Sequence, residues 1–331
     1  MVNQIKDFLF VIKVRLPNSP LRDLNSYVLK TPQRNLLIDT GFNLPECLAD
    51  LEQGIVELEL DMNKTDILLT HFHADHIGLI DKIVKPGSRV YIGEIDKQLL
   101  DESSRSNRIW VNQTESYQRE GFPAGILDKA SRINPARVLI AEKPVETIPL
   151  RDGELLTVGD ITLRCIHTPG HTPGHICLYN DRDKFMVLGD HVLFDISPNI
   201  TTWPSLSNSL GHYLESLKLI RQFDVELPLP AHRECTITMT ERIDQLLLHH
   251  EKRFNEMRTI IRDNPGLNGY EIAGRMKWKI RAQSWDDFPL AQKWFAMGES
   301  LSHLDYLVEA GDVSKKTAGV TPTYFLSADS S

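Results

Sequence analysis

Short apolar runs separated by polar turns dominate the first 240 residues and predict a chain rich in buried strands. Residues 8–16 form a strongly apolar run that ends at a turn with two prolines. Residues 161–166 alternate apolar and polar side chains, which is typical of a strand with one buried face. The same reasoning predicts further strands at residues 25–30, 35–39, 66–70, 89–92, 145–149, 154–158, 176–179 and 185–190.

Apolar residues three and four positions apart predict helices between these strands. Such helices are expected at residues 45–60, from 77 to about 85, and at 207–223. Residues 93 to about 140 break the strand pattern with a long, polar, mostly helix-like insertion. Long insertions are often lids, so this segment is either a helical cap over a functional site or a packing appendage. The sequence leaves both interpretations open.

The character of the chain changes after residue 238. A long helix is predicted there because its apolar positions share one face: Ile243, Leu246, Leu247, His250, Phe254, Met257 and Ile261. A short helix near 270–276, a longer one at about 290–310 and a hairpin at 313–326 follow. Three helices and a hairpin predict a small winged-helix-like α+β domain at residues 238–331, after a first domain at 1–237.

Composition narrows the class of protein. The chain has 331 residues, 41% of them hydrophobic, and a formal net charge of -8. An acidic balance argues against a nucleic-acid partner, and Glu299, Asp305 and Glu309 on the last helix favour a structural or dimer-forming role there. The four scattered cysteines, the lack of a signal-like N-terminus and the absence of a long apolar run predict a cytoplasmic protein without a membrane span.

Metal-type side chains are concentrated in residues 70–78. His71, His73, Asp75 and His76 follow a predicted strand and precede a predicted helix. A strand-to-helix loop is a place where a rigid scaffold presents ligands. His71 and His73 point the same way in an extended segment, whereas Asp75 and His76 turn with the helix. Two of these side chains can therefore face one ion and two a neighbouring ion.

The His-x-His-x-Asp-His pattern resembles the signature of the metallo-β-lactamase superfamily. Three later segments match its remaining motifs in order. Thr168-Pro-Gly-His171 follows the predicted strand 161–166, Gly189-Asp190 ends the predicted strand 185–190, and Ala231-His232 ends the last expected element, residues 225–232. Ala231 departs mildly from the glycine usual there. The resemblance implies that His71, His73 and His171 bind one metal, that Asp75, His76 and His232 bind a second, and that Asp190 bridges both. It also implies that Asp39, in Asp39-Thr-Gly41, supports the site from behind.

The resemblance covers about residues 8–235 and implies an α/β fold. This fold is a four-layer αββα sandwich, in which two facing mixed sheets lie between outer helix layers with the site along one edge. Two divalent ions are implied, with zinc favoured and iron or manganese also compatible with nitrogen and oxygen ligands. Aromatic residues that could line a pocket, or simply pack, are Trp110, Tyr117, Trp203 and Tyr213.

The reaction implied is hydrolysis by a hydroxide held between the two ions, with Asp75 orienting it and passing a proton to the leaving group. The motifs are most similar to the glyoxalase II and lactonase-type members, which favours a small thioester or lactone as substrate. Alternatives are a phosphodiesterase or endoribonuclease, a mononuclear-iron persulfide dioxygenase, and a non-enzymatic regulator. β-Lactam hydrolysis is not expected because such enzymes are typically secreted. A homodimer is possible.

Overall fold

Two β-sheets face each other in the structure, a computed structural model that describes residues 2–280, 282–317 and 319–327. The first sheet has seven strands in the order β1 to β7. Its strands are β1 (Val2–Lys6), β2 (Leu9–Arg15), β3 (Asp23–Leu29), β4 (Asn35–Ile38), β5 (Thr65–Leu69), β6 (Val90–Gly93) and β7 (Ile148–Leu150). The pairs β1–β2, β2–β3 and β3–β4 are antiparallel, whereas β4 to β7 run parallel to one another.

The second sheet has five strands in the order β12-β11-β10-β9-β8. They are β8 (Leu155–Val158), β9 (Ile161–His167), β10 (Ile176–Asn180), β11 (Phe185–Gly189) and β12 (Leu227–Pro230). Strands β11 and β12 are parallel, and the remaining pairs are antiparallel. Every residue of β10 and β11 is buried, as expected of strands covered on both faces.

Helices cover the outer face of each sheet. The helices of the first 237 residues are α1 (Pro45–Glu57), α2 (Ala74–Ile77), α3 (Ile80–Ile83), α4 (Glu94–Arg105), α5 (Arg108–Arg119), α6 (Ala124–Arg132), α7 (Pro135–Val138) and α8 (Ser209–Ile220). One apolar layer joins Leu51 of α1 to the first sheet, a second fills the space between the sheets, and a third joins Leu217 of α8 to the second sheet. The predicted four-layer αββα sandwich is confirmed.

The single helix predicted from residue 77 to about 85 is wrong, because two short helices, α2 and α3, replace it. Gly78 separates them and lies against the backbone of a neighbouring loop. A Cβ added there would lie 2.5 Å from the amide nitrogen of Asn43 and 2.6 Å from the carbonyl oxygen of Gly41. This close backbone contact therefore accounts for the interruption of the helix, although the apolar spacing of the sequence predicts a continuous one.

The C-terminal segment contains three helices and a two-stranded hairpin, namely α9 (Met239–Asp263), α10 (Gly269–Arg275), α11 (Leu290–Glu309), β13 (Val313–Lys316) and β14 (Thr323–Leu326). Thr238 and Glu241 begin α9 with a capping box. Arg281, Ala318 and residues 328–331 of the predicted second domain lie outside the described residues. In the described ranges, no helix combines the length and the apolarity needed to cross a membrane.

The inserted helices and the C-terminal segment share one apolar core with α8. Tyr117 and Phe122 from the insertion belong to the same buried cluster as Ile243 of α9 and Trp294 of α11. The rings of Tyr117 and Trp294 have centroids 4.8 Å apart. The insertion therefore packs against the C-terminal helices, as the packing interpretation of residues 93–140 requires.

A buried glutamate attaches the C-terminal hairpin to the inserted helices. Glu120, at the end of α5, accepts hydrogen bonds from Lys315 Nζ at 2.7 Å and from the hydroxyl of Tyr324 at 2.9 Å. Its backbone carbonyl accepts from the amide of Tyr270 at 3.0 Å. Lys315 is consequently engaged by the protein itself, although it lies on the hairpin that a winged helix would use for nucleic acid.

Replacing Glu120 with alanine should lower the free energy of unfolding by about 2 kcal/mol, because it leaves Lys315 and the Tyr324 hydroxyl without their shared acceptor. Chemical denaturation measures this change. Glu115→Ala, at an exposed position on the same helix, is the matched control and should alter stability by less than about 0.5 kcal/mol. Equal effects of the two substitutions would contradict the attachment.

Candidate metal centre

The predicted ligands all lie at one edge of the sandwich. His71 and His73 follow the carboxyl end of β5, and the next two candidates lie in α2. His171 lies in the loop between β9 and β10, Asp190 directly follows β11, and His232 closely follows β12. Residues separated by up to 161 positions therefore meet because their strands end at the same edge. The full set brought together is His71, His73, Asp75, His76, His171, Asp190 and His232.

Three imidazole nitrogens form a nearly equilateral triangle, which we call the first group. His71 Nε2 lies 3.1 Å from His73 Nδ1, which lies 2.9 Å from His171 Nε2. The third edge, between His171 Nε2 and His71 Nε2, is 3.2 Å. Tetrahedral zinc with zinc–nitrogen bonds of about 2.0–2.1 Å requires edges of roughly 3.3 Å. The triangle therefore has the size of three corners of such a site.

Asp75, His76 and His232 form the second group. Asp75 Oδ2 lies 3.7 Å from His76 Nε2 and 3.3 Å from His232 Nε2. Their ligand atoms converge on one point from α2 and from the loop after β12. One carboxylate and two imidazoles are a donor set that suits zinc and other first-row divalent metals.

Asp190 lies between the two groups. Its Oδ1 is 3.6 Å from His76 Nε2 and 3.3 Å from His232 Nε2, in the second group. Its Oδ2 is 3.5 Å from His171 Nε2, in the first group. The two oxygens of one carboxylate thus face different groups, which is the position that a bridging ligand requires.

Backbone carbonyls fix the protonation of two ligands. His171 Nδ1 lies 2.8 Å from the carbonyl oxygen of Asn199, and His232 Nδ1 lies 2.8 Å from that of Asp23. A carbonyl oxygen can only accept, so each Nδ1 carries the hydrogen. In a neutral ring this leaves Nε2 with a lone pair, and both Nε2 atoms point toward the centre.

Asp39 performs the same task for two more ligands. Its Oδ2 accepts from His76 Nδ1 at 2.8 Å and from the hydroxyl of Thr70 at 2.9 Å. The Thr70 oxygen in turn lies 3.1 Å from His71 Nδ1, from which it accepts. Asp39 has a φ of 61° and is followed by Gly41 at 110°, so the Asp-Thr-Gly turn aims the carboxylate at these rings. It lies behind the ligands, as the sequence resemblance implies.

Several buried atoms at the centre have no hydrogen-bond partner among the described residues. They are His76 Nε2, His232 Nε2 and Asp190 Oδ1. A buried polar atom without a partner costs roughly 1–3 kcal/mol, so such atoms are rare and need an explanation. These atoms lie around the same point, and a divalent cation there, which would displace any proton from the imidazoles, would satisfy all of them. The residues present fit a metal centre.

Electrostatics distinguish the two groups. Burial lowers the pKa of His73 to about 3 and of His171 to about 4, so the first group consists of neutral donors. Burial opposes the charge on His76 as well, but Asp39, Asp75 and Asp190 outweigh it and raise its pKa to about 10. The second group is therefore an anionic environment that attracts positive charge.

Other histidines near the centre do not join these groups. His167 Nε2 lies 2.9 Å from the carbonyl oxygen of Pro173, and His175 Nδ1 lies 2.8 Å from the hydroxyl of Thr168. His191, which directly follows Asp190, is buried with its ring centroid 5.0 Å from that of Tyr213. Among the described residues, His175 Nε2 and both ring nitrogens of His191 are also buried without a hydrogen-bond partner, although neither residue belongs to the first or the second group.

The aromatic candidates divide between site and core. Trp203 stacks on His73 with centroids 6.0 Å apart and donates from Nε1 to the carbonyl of His171 at 3.1 Å. Tyr117 and Tyr213 are fully buried, and Trp110 packs against Trp294. Trp203 therefore contacts two ligand candidates directly, whereas Tyr213 supports the segment after Asp190 by donating to the His191 carbonyl at 3.0 Å.

Sequence reasoning missed two residues that hold the ligands. The buried carboxylate of Asp96 accepts from the backbone amide of Phe72, and the Asn199 carbonyl holds His171. A carboxylate in the first turn of α4 is an ordinary helix feature. A backbone carbonyl gives no sequence signal at all. Neither could be singled out before the loops were placed in space.

Comparisons with known proteins agree with this geometry. The sequence profile of the Metallo-beta-lactamase superfamily matches residues 20–232, well over half of the chain. The lactamase-like protein aptB of Emericella nidulans is 22% identical over 74% of this chain, which spans 62% of that relative's length. A metallo-beta-lactamase family protein of Thermus thermophilus superposes with a TM-score of 0.80 at 26% identity, over 98% of this chain and 100% of that one.

A second structure shares the fold over nearly the whole length of the chain. It is a beta-lactamase domain protein of Burkholderia ambifaria, with a TM-score of 0.83 at 23% identity over 98% of this chain and 94% of that one. Both superpositions extend through the C-terminal helices, so the architecture is shared beyond the residues that the profile matches. Profile, fold and converging donors agree: the chain belongs to the metallo-beta-lactamase superfamily, a hydrolase family.

Proposed function

We propose that this chain is a binuclear metal-dependent hydrolase that cleaves an ester-like bond, a thioester or a lactone, in a small molecule. The observation that carries the proposal is the pair of ligand groups that share Asp190, with the outer nitrogens of their histidines tied to hydrogen-bond acceptors. A mononuclear site would need only one of the two groups. The arrangement therefore favours two ions, and its nitrogen and oxygen donors favour zinc.

The two ions, when bound, would lower the pKa of a coordinated water from about 15.7 toward 7 and polarise the scissile carbonyl. The residues supply the rest of the chemistry. Burial opposes ionisation of Asp75, but the imidazoles of His76 and His232 hold its pKa well below its usual range. At neutral pH Asp75 is therefore a carboxylate, able to orient the attacking water and to accept its proton.

The low solvent exposure of the centre favours a substrate whose reacting group is small. Asp75, Asp190 and His171 are 7%, 6% and 4% exposed, so these ligand candidates have little contact with solvent. A polynucleotide would also need a basic track, whereas the chain carries a net charge of -8. On the hairpin, Lys315 pairs with Glu120 and Lys316 lies over the ring of Phe325. These observations weigh against a nuclease.

A substrate panel tests the proposal directly. The purified protein would be assayed with acyl thioesters, lactones and single-stranded RNA under identical zinc concentrations. We expect turnover of a thioester or lactone and none of RNA. Preferential cleavage of RNA would overturn the ester assignment in favour of a phosphodiesterase, and oxygen uptake with a persulfide would overturn hydrolysis itself.

Metal removal is expected to abolish activity and to destabilise the fold. Without cations, the buried Nε2 atoms of His76 and His232 and the Asp190 carboxylate lose their shared partner. Elemental analysis should find two equivalents of divalent metal per chain, and dialysis against a chelator should remove them together with turnover and lower the melting temperature. Zinc should restore both. Full activity after complete metal removal would contradict the proposal.

A further inference from the structure

A buried carboxylate outside the ligand set joins the loops that carry the first group. Asp96, in the first turn of α4, is completely buried. Its Oδ2 accepts from the amide of Phe72 at 3.0 Å and from the hydroxyl of Thr172 at 2.6 Å. Its Oδ1 accepts from the amide of Gly174 at 2.6 Å. One side chain thus receives three hydrogen bonds from two distant loops.

The hydrogen-bond donors to Asp96 lie next to the ligands of the first group in the sequence. Phe72 lies between His71 and His73, and Thr172 directly follows His171. The first group takes two nitrogens from one of these loops and the third from the other. A backbone bond from the Ile176 amide to the Thr70 carbonyl, 3.0 Å long, joins the bases of the loops. Asp96 joins them next to the ligands themselves.

Close backbone contacts hold Asp96 in one place. A Cβ added to Gly174 would lie 2.1 Å from the amide nitrogen of Asp96 and 2.7 Å from its Oδ1. A Cβ on Gly93, just before α4, would lie 2.1 Å from the carbonyl oxygen of Gly174. The start of α4 is therefore seated directly on the loop of His171, and the carboxylate has little freedom to turn away.

Stability alone does not account for a charged group at this position. Burial raises the pKa of Asp96 to about 6, although its three hydrogen bonds lower it. In the described part of the chain no lysine or arginine forms an ion pair with it, so its negative charge is offset by hydrogen bonds and the first turn of α4. Such a carboxylate is costly to bury, which points to a task in the site.

We propose that Asp96 is a positioning residue for the first metal: it sets the distance between the His71–His73 loop and the His171 loop. The inference rests on the proposed metal-dependent function. It assigns to the first helix of the insertion a part in the site, because α4 begins at residue 94 and Asp96 lies in its first turn. The second group receives no contact from Asp96 and should not depend on it.

Asp96→Asn tests the assignment with little change in size. The amide can accept through one oxygen only, so its NH₂ group would face at least one of the donors. We expect the affinity of the first group for Zn²⁺ to fall about 10- to 100-fold, with the second group unaffected. Titration with Co²⁺ would report this change as weaker binding in one of two binding phases. The phase that weakens should be the one whose absorption spectrum also changes, which assigns it to the first group.

Two further variants make the result decisive. Asp305→Asn removes another largely buried carboxylate whose pKa burial raises to about 6, on α11, and should leave both Co²⁺ phases intact. Thr172→Val removes one of the three hydrogen bonds to Asp96 and should weaken the first site less than Asp96→Asn does. If Asp96→Asn fails to fold, Thr172→Val still tests the inference. Unchanged Co²⁺ binding in both site variants, or equal weakening of both sites, would overturn the inference. A wild-type protein that binds no metal would instead refute the proposed function.

Discussion

An Asp190→Asn variant is expected to lose at least about a thousandfold in kcat/KM on whichever ester-like substrate the panel identifies. Asp190 is the one carboxylate that faces both groups, with Oδ1 3.3 Å from His232 Nε2 and Oδ2 3.5 Å from His171 Nε2. Asparagine keeps the shape but removes the charge and turns one oxygen into a donor. Metal ions contribute several kcal/mol of transition-state stabilisation, and each 1.36 kcal/mol corresponds to a factor of about ten in rate.

Metal content separates this explanation from simple unfolding. The variant should retain fewer than two equivalents of metal after dialysis while keeping its far-ultraviolet circular dichroism. Asp160→Asn is the matched control, because Asp160 is an exposed residue in the turn before β9, at the opposite end of that strand from the His171 loop. It should match the wild-type protein in metal content and rate. An Asp190→Asn protein with two tightly bound ions and normal turnover would refute the bridging role.

The convergence of the ligand candidates could be predicted because their positions follow from strand ends. His71 follows β5, Asp190 follows β11 and His232 follows β12, and ends of neighbouring strands meet at one edge of a sandwich. Short apolar runs reveal such strands even when their exact limits shift by a residue or two. The site could therefore be assembled from local signals together with the order of the motifs.

The contacts that hold the ligands could not be predicted in this way. Asp96 and Thr172 are 76 positions apart, and each gives an unremarkable local signal. The same limit explains why the helix predicted from residue 77 is divided. Gly78 lies against the backbone of Asn43 and Gly41, a contact with another loop that local sequence does not reveal. Strand β1 was missed for a related reason, because it contains polar residues and lies at the edge of its sheet.

The C-terminal helices contribute to the site through the loop that follows Asp190. Arg242 of α9 donates to the carbonyl oxygens of Leu193 and Ile196. Ser302 of α11 donates to the carbonyl of Ile200 at 2.7 Å. Both helices thus hold the loop that carries the Asn199 carbonyl, which fixes His171.

These contacts are of the kind that a structural role for the C-terminal segment requires; the structural or dimer-forming role expected from the acidic residues of its last helix stays a prediction. Glu299 of α11 lies 3.5 Å from the Asn199 side-chain nitrogen and 3.4 Å from Arg253. The winged-helix assignment of residues 238–331 stays a prediction about architecture, separate from any DNA-binding role.

Replacing Asp75 with alanine should abolish turnover of a thioester or lactone panel, with a loss of about a thousandfold or more. Asp75 is both a ligand candidate and the proposed proton acceptor, since its Oδ2 lies 3.3 Å from His232 Nε2 and its side chain still reaches solvent. Loss of a ligand alone is expected to be partly reversible by excess Zn²⁺, because His76 and His232 remain. Loss of the proton acceptor is not, since zinc cannot replace a carboxylate that orients and deprotonates water.

The measurement is therefore kcat as a function of added Zn²⁺ for Asp75→Ala and, in parallel, for His232→Ala. Both variants remove one member of the second group, but His232 Nδ1 is bound to the Asp23 carbonyl and its ring is fully buried, so the proposed mechanism gives it a role as a ligand alone. We expect saturating zinc to recover much of the His232→Ala rate and little of the Asp75→Ala rate. Equal recovery in the two variants would mean that Asp75 contributes only as a ligand, and undiminished turnover in Asp75→Ala would remove the mechanism.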